Sequence, residues 1–165
     1  MSDIIKNDKE ILFIDSKTTD DISLRAEKSS RGMARLLMHL SHENPVQEML
    51  IAMTKDCLVM PNQSIGKSES LQLIEGEMLL VIFSEDGKVK NSIRMGSPNT
   101  KLNFLYRLSN TPWHTMIPLS DIVIVHEVLQ GPFEASSETS PDWLPQNNEN
   151  LKLLITQVTQ DYLNT

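Results

Sequence analysis

Short apolar or alternating runs fill the chain from about residue 48 onward. Six of them stand out, at residues 48–54, 70–74, 77–83, 88–95, 101–108 and 121–129. Turn-forming residues separate the runs, and Gly76 and Gly87 supply the positive φ that two of these turns require. Short strands at a spacing of roughly 8–12 residues, with little helix between them, predict a β-sandwich or a small barrel.

Helical patterns lie on either side of this β-rich region. Residues 20–29 combine a capping aspartate, Asp20 or Asp21, with modest apolar content. Residues 149–163 follow a capping asparagine, Asn147 or Asn148, and carry one apolar face. That face consists of Leu151, Leu154, Ile155, Val158 and Tyr162. We expect it to pack on the barrel or on a second copy, because it would otherwise lie in water.

The sequence therefore predicts one domain of three parts, since a length of 165 residues favours a single domain. Residues 1–45 form an N-terminal strand and helix cover. Residues 46–135 form the barrel. Residues 136–165 form a C-terminal extension that holds the helix at 149–163.

The composition narrows the class of partner. A formal net charge of −7 argues against nucleic acid, because phosphate binding needs clustered Lys and Arg. No run approaches the ~20 apolar residues of a membrane span, so we expect no membrane insertion. Cys57 is the only cysteine, which we interpret as a small core residue in a reducing compartment. The charged N-terminus lacks the apolar region of a signal peptide, and we therefore expect a cytoplasmic protein.

Two polar motifs in the β-rich region carry the candidate chemistry. They are Pro61-Asn62-Gln63-Ser64, with Gly66 and Glu69 after it, and Trp113-His114-Thr115. Their order in a strand-rich chain resembles the cupin superfamily, in which the first motif offers two histidines and a glutamate and the second offers a third histidine. The resemblance implies a mainly β protein with a double-stranded β-helix, or jelly-roll, barrel.

Within that superfamily the chain resembles the WbuC family of small cupin-fold proteins, named for a protein found with O-antigen lipopolysaccharide genes. The matching residues span roughly positions 30–145, and their order and spacing carry the resemblance. They are Ser30-Arg31, His39, Glu43-Asn44-Pro45-Val46-Gln47, Met49-Leu50-Ile51-Ala52, Pro61, Gly66-Lys67-Ser68-Glu69, Glu75-Gly76, Phe83, Asp86-Gly87, Trp113-His114-Thr115, Glu127, Gly131-Pro132-Phe133 and Trp143-Leu144-Pro145. The resemblance implies a role in lipopolysaccharide biosynthesis.

The chain departs from the family at the metal site. Asn62 and Ser64 stand where the family carries the two histidines of Pro-His-x-His. Their replacement leaves Glu69 and His114, whereas catalytic metal sites usually keep about three protein ligands. We therefore expect no cofactor. The alternative is a weakly held divalent Fe, Mn, Ni or Zn on Glu69 and His114.

A polar ligand pocket is expected inside the barrel, lined by Asn62, Ser64, Glu69, Gln72, His114, Glu127 and His39. Strand alternation places His126 and Glu127 on opposite faces. The resemblance favours Glu127 as the inward residue, although a lone acid on a strand more often faces outward or lies at the mouth. For His39 two positions are open, a hydrogen bond within the N-terminal cover or a place at the barrel mouth.

Two functions fit these residues. The first is binding of a sugar or other small polar ligand by a cupin whose metal site is partly lost. The second is an isomerase- or epimerase-like enzyme for a sugar or sugar nucleotide, with Glu69 and His114 as the acid–base pair. The missing histidines favour the first, and the retained Glu69, His114 and Glu127 favour the second. Small cupins frequently pair through sheet edges, so we also expect a homodimer.

Overall fold

The computed structural model describes residues 2–133, 138–139, 141–145 and 147–164. In these residues the chain alternates strands and two helices, with nearly all strands in the central part. The elements are β1 (Ile4–Lys6), α1 (Ser16–Lys28), β2 (Met33–Leu37), β3 (Val46–Thr54), β4 (Gln63–Ser64), β5 (Glu69–Glu75), β6 (Glu77–Phe83), β7 (Val89–Gly96), β8 (Leu105–Leu108), β9 (His114–Pro118), β10 (Ile122–Gln130), β11 (Glu138–Thr139) and α2 (Asn148–Leu163).

Two main sheets face each other. The larger has the order β1-β2-β3-β10-β5-β8, and the smaller has the order β7-β6-β9. Strand β1 pairs with β2 in parallel, and the other pairings of these two sheets are antiparallel. Strand β10 lies between β3 and β5 although it is distant from both in sequence, so the barrel closes through non-local pairing.

The space between the sheets is filled by side chains, many of them methionine. This core is formed by Met33, Ile51, Met53, Cys57, Val59, Leu71, Leu73, Met78, Leu80, Met95, Met116, Val123 and Val125. Methionine has three rotatable bonds and fills irregular gaps between strands. The predicted core position of Cys57 is confirmed, and burial raises the pKa of its thiol to about 11.

Each helix covers the outer face of one sheet. Helix α1 packs Ile22 and Ala26 against the larger sheet, and α2 packs Val158 against Val81 and Ile117 of the smaller one. Two positions were expected for the C-terminal helix, on the barrel or on a second copy, and in the structure it packs on the barrel. Neither of the helices in the described ranges is long and apolar enough to cross a bilayer.

Two local predictions need correction, and one further strand was not predicted. Helix α1 begins at Ser16 rather than at residue 20, because Asp15 has extended backbone and accepts a hydrogen bond from the Thr18 N–H. The strand expected at 101–108 contains only Leu105–Leu108. Residues 114–118, which carry the second polar motif, form strand β9. The expected barrel boundary at residues 135–136 lies outside the described residues.

Gly76 and Gly66 give a matched test of the tight turn between β5 and β6. Both have positive φ, +83° and +73°. A Cβ at Gly76 would overlap the Ile122 carbonyl oxygen, whereas a Cβ at Gly66 meets nothing within 4 Å. We expect Gly66→Ala to lower the free energy of unfolding by about 1 kcal/mol and Gly76→Ala by at least about twice as much. Urea denaturation measures both, and equal losses would contradict this geometry.

Candidate functional site

Four polar residues converge at one end of the barrel. Glu69 begins β5 and shares the inward face of that strand with Leu71 and Leu73. His114 begins β9 on the same face as Met116. Tyr106 pairs with Leu71 across β8 and β5, and Glu127 pairs with Leu71 across β10 and β5. Strand pairing therefore brings Glu69, Tyr106 and Glu127 to the inner side of the larger sheet, and His114 contacts Glu69 from the facing smaller sheet. We call these four residues the polar cluster.

Glu69 is the acceptor at the centre of the polar cluster. The Tyr106 hydroxyl donates to Glu69 Oε1 at 2.6 Å, and His114 Nε2 lies 3.3 Å from the same oxygen. His114 Nδ1 is 2.9 Å from the Pro112 carbonyl oxygen. A carbonyl only accepts, so Nδ1 carries a proton. The ring is thus held between a backbone acceptor and a carboxylate.

The polar cluster contains a buried ion pair. Glu69 and His114 are only 4% and 2% exposed. Burial alone would raise the pKa of Glu69, but the contact with His114 and its charge outweigh burial and lower that pKa. Burial alone would lower the pKa of His114, yet Glu69 and the Pro112 carbonyl raise it above 6.5. Each group therefore keeps the other charged.

These shifts fix the pH range in which the pair stabilises the fold. The raised pKa of His114 gives a contribution that is complete below pH 6.5 and lost as the pH rises through the raised value. The lowered pKa of Glu69 gives a contribution that is present above pH 4.5 and lost as the pH falls through the lowered value. The ion pair is strongest between the two folded-state pKa values.

Tyr106 and Glu127 are the other two ionisable groups of the polar cluster. Burial and the charge of Glu69 raise the pKa of the Tyr106 phenol well above 10, so it remains a hydrogen-bond donor at neutral pH. The charge of Glu127 also raises the pKa values of Tyr106 and His114. Glu127 is partly exposed. Tyr106 is also partly exposed, so solvent reaches the polar cluster at these two residues rather than at Glu69 and His114.

Asn62 and Ser64 stand beside His114. Asn62 and His114 are directly paired, since each backbone N–H donates to the carbonyl of the other at 3.0 Å. Directly opposed residues of an antiparallel pair point to the same face. Ser64, two residues on, follows on that face and is buried. An amide and a hydroxyl thus occupy the positions where the cupin pattern carries imidazoles.

Gln72 does not belong to the polar cluster, contrary to the sequence prediction. In β5 Glu69, Leu71 and Leu73 point inward, so Gln72 lies on the opposite face. It pairs with His126, whose Nε2 is 2.8 Å from Glu48 Oε1 on that outer face. The prediction was wrong because three residues along a strand always change the face.

His39 also lies apart from the polar cluster. Its Nδ1 accepts the Glu48 backbone N–H at 3.0 Å, and its ring packs against His42. The two histidines line a separate cavity of about 50 Å³ beside Lys6 and Leu37. His39 is therefore hydrogen-bonded as one of its two open positions expects, but its partner lies in β3 rather than within the cover. This histidine has no direct part in the candidate chemistry.

The donor set does not fit a tightly held transition metal. The Nδ1–H contact to Pro112 is the kind that orients a metal-bound histidine. However, Glu69 and His114 are only two strong ligands, and the amide of Asn62 and hydroxyl of Ser64 are weak ones. Across the described residues, no three of His, Cys, Asp and Glu are grouped so that they could hold an ion.

Metal analysis tests this assignment. We expect the protein, purified without a His tag or chelator, to contain well below one equivalent of Fe, Mn, Ni or Zn. The double variant Asn62→His/Ser64→His should gain one equivalent, because the pairing with His114 directs the first new imidazole toward it. Gln72→His, on the opposite face, is the matched control. Stoichiometric metal in the unmodified protein would contradict the assignment.

Comparisons with known proteins agree with this geometry at the level of the fold. A family model described as a domain of unknown function (DUF6016) matches residues 14–95. The match includes Glu69 and ends before Tyr106, His114 and Glu127. It is not the WbuC family, so that narrower assignment remains a prediction. No curated protein matches the chain.

Among solved structures, a protein from Shewanella oneidensis has a TM-score of 0.57 at 8% identity, with 73% of this chain and 82% of that chain covered. An oxalate oxidase in complex with the substrate analogue glycolate has a TM-score of 0.53 at 11% identity, covering 78% and 73%. A RmlC-like cupin from Methanocaldococcus jannaschii has a TM-score of 0.44 at 17% identity, covering 60% and 83%. At these identities the likeness concerns the fold alone. The chain has the double-stranded β-helix fold of the cupins, with an N-terminal and a C-terminal helix.

Proposed function

We propose that this protein binds a small neutral sugar or related polyol at the polar cluster, without a metal. The observation that carries the proposal is the ion pair of Glu69 and His114, 3.3 Å apart at the end of an otherwise apolar barrel. Taking two charges out of water costs several kcal/mol per ion, and a buried pair is weak evidence for stability. Binding gives such a pair a role that packing alone does not.

The chemistry of the polar cluster matches hydroxyl groups. Carboxylates accept hydrogen bonds, the imidazolium donates them, and the Tyr106 hydroxyl does both. Pockets for small molecules combine apolar walls with a few placed polar groups. Here the methionine and aliphatic side chains of the core lie next to the polar cluster. A polyol would exchange hydrogen bonds first with the partly exposed Glu127 and Tyr106, and next with the buried Glu69.

The charge balance supports a neutral ligand. Glu69 and His114 cancel, and the Glu127 carboxylate adds negative charge that acts on Tyr106 and His114. A like charge in a partly buried site repels an anion. We therefore infer that neutral sugars bind better than sugar phosphates. The resemblance to the WbuC family supports sugars of surface polysaccharide synthesis as the source of the ligand.

A second candidate function is an isomerase- or epimerase-like reaction on the same sugar. The raised pKa of His114 favours it, because the imidazolium is then a proton donor near neutral pH beside a carboxylate acceptor. Tyr106 occupies Glu69 Oε1 in this structure. Catalysis would therefore require the Tyr106 hydroxyl to leave Glu69 before substrate approaches the pair.

NMR titration in D₂O tests both functions. Neutral hexoses, 6-deoxyhexoses and N-acetylhexosamines are added in turn, with glucose 1-phosphate as the anionic probe. We expect at least one neutral sugar to shift the His114 ring signals, and glucose 1-phosphate to shift them less. Deuterium entering the bound sugar would indicate the isomerase-like function.

Two variants localise the binding. Glu127→Gln should weaken binding of that sugar at least about tenfold, equal to about 1.4 kcal/mol. Glu75→Gln, at an exposed position of β5, is the matched control with the same loss of charge and should leave binding unchanged. No response to any neutral sugar, or equal binding in both variants, would contradict the proposed function.

A further inference from the structure

A second cavity lies outside the barrel, between α2 and the end of the smaller sheet. Its volume is about 500 Å³, within the range of about 300–1,000 Å³ that small-molecule sites occupy. Leu58, Ile117 and Leu119 line its barrel side. Ile155, Thr159 and Leu163 line its helix side at a spacing of four residues, which places them on one face of α2. We call this space the helix cavity.

The helix cavity is separated from the polar cluster by the smaller sheet. His114 and Met116 face the barrel interior, whereas Ile117 packs on the outer face with Leu79 and Val158. Adjacent residues of β9 thus point to opposite faces of the smaller sheet, one toward the barrel interior and the next toward α2. A ligand in the helix cavity therefore contacts neither Glu69 nor His114, and the inference is independent of the proposed function.

Cations are concentrated at the helix cavity. Lys55, Arg94 and Lys152 line it against a single carboxylate, Asp56, in a chain whose net charge is −7. Arg94 forms an ion pair with Glu77. Lys55 and Lys152 are exposed, and they come from opposite walls, the loop after β3 and the helix α2. Two lysines on facing walls suit one anionic headgroup between them.

The apolar side chains that line the helix cavity indicate what the uncharged part of the ligand is. Ile155 packs against the apolar side chains on the outer face of the smaller sheet, and it also lines the helix cavity. Leu163, at the end of α2, is 61% exposed although it lines the helix cavity. A hydrocarbon body lying along α2 would remove these side chains from water at about 25 cal/mol per Å² of apolar surface. The lysines fit a negatively charged headgroup and the apolar side chains fit a hydrocarbon body. Together they indicate that the ligand is an amphiphilic anion.

We propose that the helix cavity binds a small amphiphilic carboxylate, an unbranched acyl chain whose carboxylate lies between Lys55 and Lys152. The acyl chain packs against Leu58, Ile117 and Ile155, and the helix cavity opens to solvent at Leu163. The cavity between barrel and helix accepts one such molecule. The carboxylate makes charge-assisted hydrogen bonds to the ammonium groups.

Isothermal titration calorimetry with decanoate and decanol, below their aggregation limits, tests the proposal. The two probes share the chain and differ in the charge. We expect decanoate to bind at least about tenfold more tightly than decanol. Lys55→Gln/Lys152→Gln should remove this preference and leave decanol binding unchanged. Lys28→Gln/Lys101→Gln, with the same loss of charge at exposed positions that do not line the helix cavity, should retain it.

Thr159→Trp and Thr156→Trp place an indole in the helix cavity and should abolish binding of both probes. Thr156 is exposed, so this variant keeps the test valid if Thr159→Trp fails to fold. Equal affinities for decanoate and decanol in the unmodified protein would overturn the proposal. So would binding that persists in the folded tryptophan variants. A concentration-dependent dimer that Thr156→Trp dissociates in sedimentation would also overturn it, because the occupant would then be a second copy.

Discussion

The 3.3 Å contact between His114 and Glu69 organises the interior end of this barrel. Neither group would stay charged alone in so apolar a place. Burial raises the pKa of the Glu69 carboxyl and lowers the pKa of the His114 imidazole, and both shifts favour the neutral form. Paired, they hold each other ionised, with the Tyr106 hydroxyl and the Pro112 carbonyl as the remaining partners. Removing one partner of such a pair is costly, on the order of 3–5 kcal/mol, since the other is left as a lone buried charge.

The same contact sets the surroundings of the His114 imidazole. With Asn62 and Ser64 opposite and beside His114, the imidazole has a carboxylate as its strong partner rather than a cation. Methionine side chains fill the space between the sheets. The partly exposed Tyr106 and Glu127 are the members of the polar cluster that a ligand contacts first.

Much of this could be predicted from the sequence because it depends on local patterns. Alternation and turn glycines located most strands, and the order of the two polar motifs singled out Glu69 and His114. Tyr106 was missed, because one tyrosine in an alternating strand gives no sign of its partner until β8 pairs with β5. Its position two residues before Leu108 in an alternating run was the available signal. The helix cavity depends on how α2 lies across the smaller sheet, and no local pattern encodes that.

The protonation state of His114 tests the central claim most directly. Nitrogen-15 NMR of the imidazole, followed from pH 5 to 9, reports both ring nitrogens and the pKa. The account predicts an imidazolium with both nitrogens protonated at pH 6.5 and a pKa above the ordinary 6.5, which falls in Glu69→Gln. A neutral ring at pH 6.5, with the lowered pKa that burial alone would produce, would contradict it.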